Sequence, residues 1–155
     1  MVKRTFLFIA FLFLIACSSQ DLGLGDLKEA HPDSFADPIE ALSKEEQEKV
    51  GLPDEIPFEV ASVKATTSEE QVEVIYESSN SEKVLVTTLF NPDNILQESE
   101  LQIPLNSGAV AGVQKKEDYV YIEWYESEAD VIYQIEYHGS EEERTENAMN
   151  IANSI

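Results

Sequence analysis

A chain of 155 residues with 31 acidic and only 10 basic side chains, and a formal net charge of −21, has the length for one domain and little more. Such acidity disfavours nucleic acid as a partner, because binding there depends on cations that neutralise phosphates, and it disfavours adhesion to anionic lipid headgroups for the same reason. A highly charged surface is first a way to stay soluble, although it also attracts cations, basic peptides and amines.

The first residues carry the strongest signal. Lys3 and Arg4 precede an unbroken apolar run from Phe6 to Ala16, and a basic head, a short apolar core and a small residue before the cut make an export signal over residues 1–16. The run is shorter than the roughly 20 apolar residues that span a bilayer, and it is apolar all round, where a core helix would show a stripe. Leu14-Ile15-Ala16-Cys17 resembles the lipobox of bacterial lipoproteins. By that resemblance Cys17 is the lipidation site and the first residue of the mature chain, held on the extracytoplasmic face of the cell membrane by a diacylglyceryl group. Two long acyl chains anchor stably, whereas one binds only marginally. Cys17 is the only cysteine, so the domain has no intramolecular disulfide. Removal of the signal takes away Lys3 and Arg4 and no acid, leaving 139 residues with 8 basic and 31 acidic side chains and a charge of −23.

Residues 17–36, with Gly23, Gly25, Pro32 and scattered Leu, read as a flexible tether with a reach of about 25 Å. Asp37-Pro38 reads as an N-cap followed by proline at the first helical position, and Ser43 with Glu46 as a capping box that restarts the helix. Gly51 and Pro53 end this N-terminal helix, expected over 37–52 and loosely packed because Ile39, Leu42 and Val50 give it a thin apolar face.

From Ile56 the hydrophobic period changes to two, which marks half-buried strands. Ile56, Phe58 and Val60 alternate first, with Pro57 suggesting an edge strand. Val72, Val74 and Tyr76 form a second strand and Val84, Val86 and Thr88 a third, with Ile75, Leu85 and Leu89 on the opposite face. Asn91-Pro92-Asp93-Asn94 is a turn, and a short strand is expected at Leu101–Ile103. Around the turn at Glu128, pairing Trp124 with Tyr133 sets Ile122 against Ile135 and Val120 against Tyr137. A one-residue slip would bury Glu136 and Gln134 instead. Carried one strand back, the same face places Val113 against Val120, Ala111 against Ile122 and Ala109 against Trp124. Tyr121 then covers the backbone of Gly112.

The other face of these strands carries Tyr119, Tyr121, Glu123 and Tyr125, with Gln134, Glu136 and His138 beside them. Tyrosine joins apolar area to a hydroxyl, so the first four residues are the candidate binding surface, suited to a basic or amphipathic envelope protein or peptide. Good strand-forming residues on a solvated or helix-covered face are the plainer reading. Ser140-Glu141-Glu142-Glu143 reads as a capping box opening a final helix whose buried stripe is Ala148, Ile151, Ala152 and Ile155. The expected fold is α+β: an antiparallel sheet of six to seven strands, a short N-terminal helix, and a C-terminal helix on one face.

Val120-Tyr121-Ile122-Glu123-Trp124, Tyr133-Gln134-Ile135 and the closing Ile151-Ala152-Asn153-Ser154-Ile155 resemble an uncharacterised extracytoplasmic domain of Bacillus-type bacteria. That domain occurs in lipoproteins and in membrane proteins associated with anti-sigma-factor regulators. The resemblance covers residues 53–155 and implies an accessory or sensory module with no known catalytic residues.

No residue is assigned to catalysis, to a metal or to a cofactor. His31 and His138 lack metal-pair spacing, no serine lies in a nucleophile elbow, and carboxylate pairs are too common in this chain to mark glycoside hydrolysis. Two turns, Glu126, Glu128 and Asp130, and Asn91, Asp93 and Asn94, carry oxygen ligands suited to calcium but not the twelve-residue loop pattern. The leading expectation is a non-catalytic, membrane-anchored binding or sensing domain; the alternatives are a calcium-responsive envelope protein and an unrecognised hydrolase.

Overall fold

A computed structural model describes residues 21–92 and 96–155 of the chain; Cys17, the lipobox, Asp93 and Asn94 lie outside them. Seven strands form one antiparallel sheet: β1 (Val60–Thr67), β2 (Gln71–Ser78), β3 (Lys83–Phe90), β4 (Leu101–Pro104), β5 (Val110–Lys115), β6 (Val120–Glu126) and β7 (Val131–His138). Their order is β1-β2-β3-β7-β6-β5-β4. Two meanders are therefore joined at β3 and β7, and the chain must cross from the end of β3 to the far edge of the sheet before β4 begins.

One face of the sheet carries the core. Alternation puts Val72, Val74 and Tyr76 of β2, Val84, Val86 and Thr88 of β3, Tyr133, Ile135 and Tyr137 of β7, and Val120, Ile122 and Trp124 of β6 on it, all buried. At about 25 cal/mol for each Å² of apolar surface removed from water, such side chains stabilise the fold by roughly 1.5–3 kcal/mol each. The register at the β6–β7 hairpin is the expected one, with Val120, Ile122 and Trp124 opposite Tyr137, Ile135 and Tyr133.

Between β5 and β6 the register differs from the expectation by two residues. Val113 faces Ile122 and Lys115 faces Val120, because the chain turns tightly, with Lys116 N–H donating to the Tyr119 carbonyl at 2.9 Å. A two-residue shift keeps every side chain on its expected face, so apolar patterning alone does not detect it. Tyr121 consequently sits opposite Gln114, and Gly112 opposite Glu123.

The stretch read as a tether is built into the domain from Leu22 onward. Helix α1 (Leu24–Ala30) runs into a π-helical turn (Pro32–Ala36), then α2 (Asp37–Glu40) and α3 (Lys44–Lys49). Leu22, Leu27, Phe35, Ile39, Leu42 and Val50 are all buried in the same cluster as the sheet. The thin apolar face expected for residues 37–52 is thus packed, not loose, and the division at Pro53 is no boundary. Asp37 is not an N-cap, since its backbone is already helical at φ −55 and ψ −49. The Ser43 capping box does form: Ser43 Oγ accepts from Glu46 N–H at 3.2 Å while Ser43 N–H donates to Glu46 Oε2 at 2.8 Å. Ser34 Oγ–H donates to the Val63 carbonyl at 2.7 Å, tying the π-helical turn to β1.

Residues 50–54 then cross the core face. Gly51 N–H donates to Thr88 Oγ1 at 2.9 Å, Tyr133 Oη–H to the Lys49 carbonyl at 3.0 Å, and Asp54 N–H to the Ser154 carbonyl at 3.2 Å. A Cβ on Gly51 would stand 2.8 Å from the Tyr133 ring, so glycine is what allows the backbone to lie there. Ile56 and Phe58 belong to this connection and pack half-buried on the core; the first strand begins only at Val60, past Pro57, which lacks the N–H a ladder needs.

Helix α4 (Arg144–Asn153) closes the core over β6 and β7 with Ala148, Ile151 and Ala152 buried. Its N-cap is Glu143, without a side-chain cap bond, so Ser140 does not form the expected capping box. Arg144 holds this end instead, its Nε donating to the Gly139 carbonyl at 3.1 Å and its Nη1 to the Glu117 carbonyl at 3.0 Å. Ile155 lies beyond the helix and is half-buried against the core.

Candidate functional site

The face opposite the core is where the sequence placed a binding surface, and the connection between β3 and β4 lies across it. Gly112, on this face of β5, lets the connection approach: a Cβ there would meet the Ser99 Cβ at 2.9 Å. Gln114 Nε2 donates to the Glu98 carbonyl at 2.8 Å. Glu123, only 3 % exposed, is the centre of the contact. Its Oε1 accepts from Gln97 N–H at 2.6 Å, and its Oε2 accepts from Tyr121 Oη–H and from Gln134 Nε2–H, each at 2.8 Å. A buried carboxylate is costly unless its lone pairs are matched, and here both oxygens are.

Tyr121 is 8 % exposed; its phenol is raised above the ordinary value by burial first, then by its hydrogen bond to Glu123. The four candidate residues therefore divide. Tyr121 and Glu123 hold the connecting segment and are not free to meet a partner, while Tyr119 and Tyr125 remain half-buried at the two ends of β6. Tyr119 stacks on His138 with ring centroids 4.9 Å apart. Tyr125 Oη–H donates to Asp130 Oδ1 at 2.8 Å, a bond that raises its phenol pKa. Sequence reasoning missed Gln97, Glu98 and Ser99, polar residues in a segment without periodicity; the topology of the β3–β4 connection is what places them.

His138, read as a chance surface residue, is half-buried at the end of β7. Its Nε2 has no hydrogen-bond partner among the described residues and stands 3.7 Å from Glu136 Oε2. Burial, together with the charge of Lys83 directly across the β3–β7 ladder, holds the imidazole below its ordinary value, against the opposing effect of Glu136. His31 caps α1, its N–H donating to the Leu27 carbonyl at 2.9 Å.

A cleft of about 240 Å³ opens where the β6–β7 turn, the β4–β5 loop and the end of α4 meet. Trp124, Tyr133, Leu105 and Ala152 wall it, with Glu126 and Glu128 at its edge. Glu126 and Glu128 belong to one of the turns considered for calcium. In that turn Glu126 Oε1 accepts from Glu128 N–H at 3.4 Å and Asp130 is engaged by Tyr125. Among the described residues no three His, Cys, Asp or Glu side chains converge as metal ligands do. No described helix is long and apolar enough to cross a membrane.

This arrangement defines an α+β domain built on one antiparallel sheet, with helical layers on the core face and a connecting strap on the other. Compared with known proteins, the chain matches no family model, no curated protein and no solved structure.

Proposed function

We propose that this chain is a bacterial lipoprotein, lipidated at Cys17 and held at the extracytoplasmic face of the cell membrane, whose domain acts by binding and not by catalysis. The observation that carries the non-catalytic reading is the state of Glu123. It is the only charged side chain buried among the described residues, the kind of group whose surroundings can suit it to acid-base chemistry. Both of its oxygens are committed to three donors of the fold, so it acts as a structural clamp. The lipobox and the resemblance to extracytoplasmic accessory domains support the location and a sensory or accessory role, with an envelope protein or peptide as partner.

Fractionation of cells carrying Cys17→Ala tests the anchor. The variant is expected to leave the mature membrane-bound form and to appear as soluble protein or as precursor held by its signal. Mature Cys17→Ala in the membrane pellet at the wild-type level overturns the anchor, and turnover of a defined substrate by the purified protein overturns the non-catalytic reading.

A further inference from the structure

We infer that the cleft beside Trp124 is a binding site for a small organic cation, a primary ammonium carried on a compact apolar body. Its lining joins Trp124, Tyr133, Leu105 and Ala152 to the polar Ser107 and Asn153, and the charged side chains on it are Glu126 and Glu128, both acidic. Apolar and aromatic side chains beside carboxylates suit a ligand that is greasy at one end and positive at the other. A neutral ligand gains nothing from the carboxylates, and an anion would be repelled.

Size narrows the choice. A dry apolar cavity of about 150 Å³ takes benzene, so a cleft of about 240 Å³ takes a six-membered ring and one aminomethyl group. The ring would displace water from the apolar walls, and the ammonium would stay at the edge, where Glu126 and Glu128 are half-buried and exposed and keep their own hydration. A bare divalent ion fits less well, because it demands several converging oxygens and no such set exists among the described residues. The whole-chain charge of −21 adds long-range attraction for any cation, so the site must be distinguished from that background. The inference extends the binding reading and is independent of the anchor at Cys17.

The position of the only tryptophan in the chain supplies the readout. Emission of Trp124 in the full chain, held in dodecyl maltoside micelles, is followed on titration with benzylammonium, benzyl alcohol and benzoate. The expected result is saturation by benzylammonium in the millimolar range, at least tenfold weaker binding of the alcohol, and no response to benzoate. Glu126→Gln with Glu128→Gln should bring benzylammonium down to the affinity of the alcohol while removing only two of the 31 acids. Ser107→Phe, an exposed loop position on the cleft, should close the mouth and abolish both responses without touching a carboxylate. Absence of saturation, equal binding of the ammonium and the alcohol, or an undiminished response in either variant overturns the site. A failed titration would not alter the fractionation of Cys17→Ala, so the two readings fail separately.

Discussion

Replacing Glu123 with alanine tests whether one buried carboxylate holds the β3–β4 connection on the sheet. Three donors lose their acceptor: Gln97 N–H at 2.6 Å, and Tyr121 Oη–H and Gln134 Nε2–H at 2.8 Å. A hydrogen bond to a charged group is worth about 1.5–3 kcal/mol net, so three independent losses would total about 5–9 kcal/mol. That total is an upper bound, because residues 96–99 can lift from the sheet and let water reach the stranded donors, as local openings do at a fraction of the global stability. The loss is set accordingly at about 3 kcal/mol, which for a domain of this size lowers the melting temperature by roughly 10 °C. Glu123→Gln keeps the shape but offers one acceptor oxygen in place of two, and it should fall between alanine and wild type. Thermal melting followed by circular dichroism measures the loss of stability, and amide hydrogen exchange at Gln97 measures the lifting of the connection. A melting temperature within about 2 °C of wild type, or a Gln97 amide as protected in Glu123→Ala as before, would refute the clamp.

Two other outcomes follow from the packing. Ile151, 1 % exposed on the buried face of α4, should cost about 2–5 kcal/mol when cut to alanine, seen as a melting temperature lower by several degrees; an unchanged curve would mean the helix does not close the core. His138 binds its proton more weakly in the fold than in the unfolded chain, whose ordinary value is 6.5. Folding is thus opposed by protonation, and stability is lost as pH falls from about 6.5 through the folded value. His138→Gln should therefore gain on wild type as pH is lowered from about 7.5 to about 5, and parallel melting profiles across that range would remove His138 as the cause.

The sheet was legible wherever side chains alternate with a single period. Val72, Val74 and Tyr76, Val84 and Val86, and the pairing of Trp124 with Tyr133 follow from the rule that a one-residue slip moves an entire apolar set to the wrong face. That rule is blind to a slip of two, which is why the β5–β6 register came out displaced while its faces came out right. The N-terminal helices were hidden for a different reason. Leu22, Leu27 and Phe35 are too sparse among Gly23, Gly25 and Pro32 to form a stripe, and only the sheet they pack on makes them core residues. The outer face shows the same limit: alternation puts Tyr121 and Glu123 together on it, but no local pattern announces that a connection from a distant strand will lie over them. Nor does it announce a cleft, whose walls come from the β4–β5 loop, the β6–β7 turn and α4.

The sheet order has a kinetic consequence. Hairpins within each meander close locally, in about 1–10 μs, whereas joining β3 to β7 brings together segments separated by about forty residues, at an entropic cost of roughly 3 kcal/mol. The seam between the two halves is therefore the slow contact, and until it zips, β3 and β7 are each the bare edge of an incomplete sheet. Val84, Val86, Val131 and Ile135, buried once the seam is closed, line those edges, and open apolar edges invite pairing with other chains. A net charge of −21 gives every half-built molecule the same sign, and mutual repulsion keeps such edges from meeting. The acidity that first set this chain apart thus protects it during the interval before its two halves have found each other.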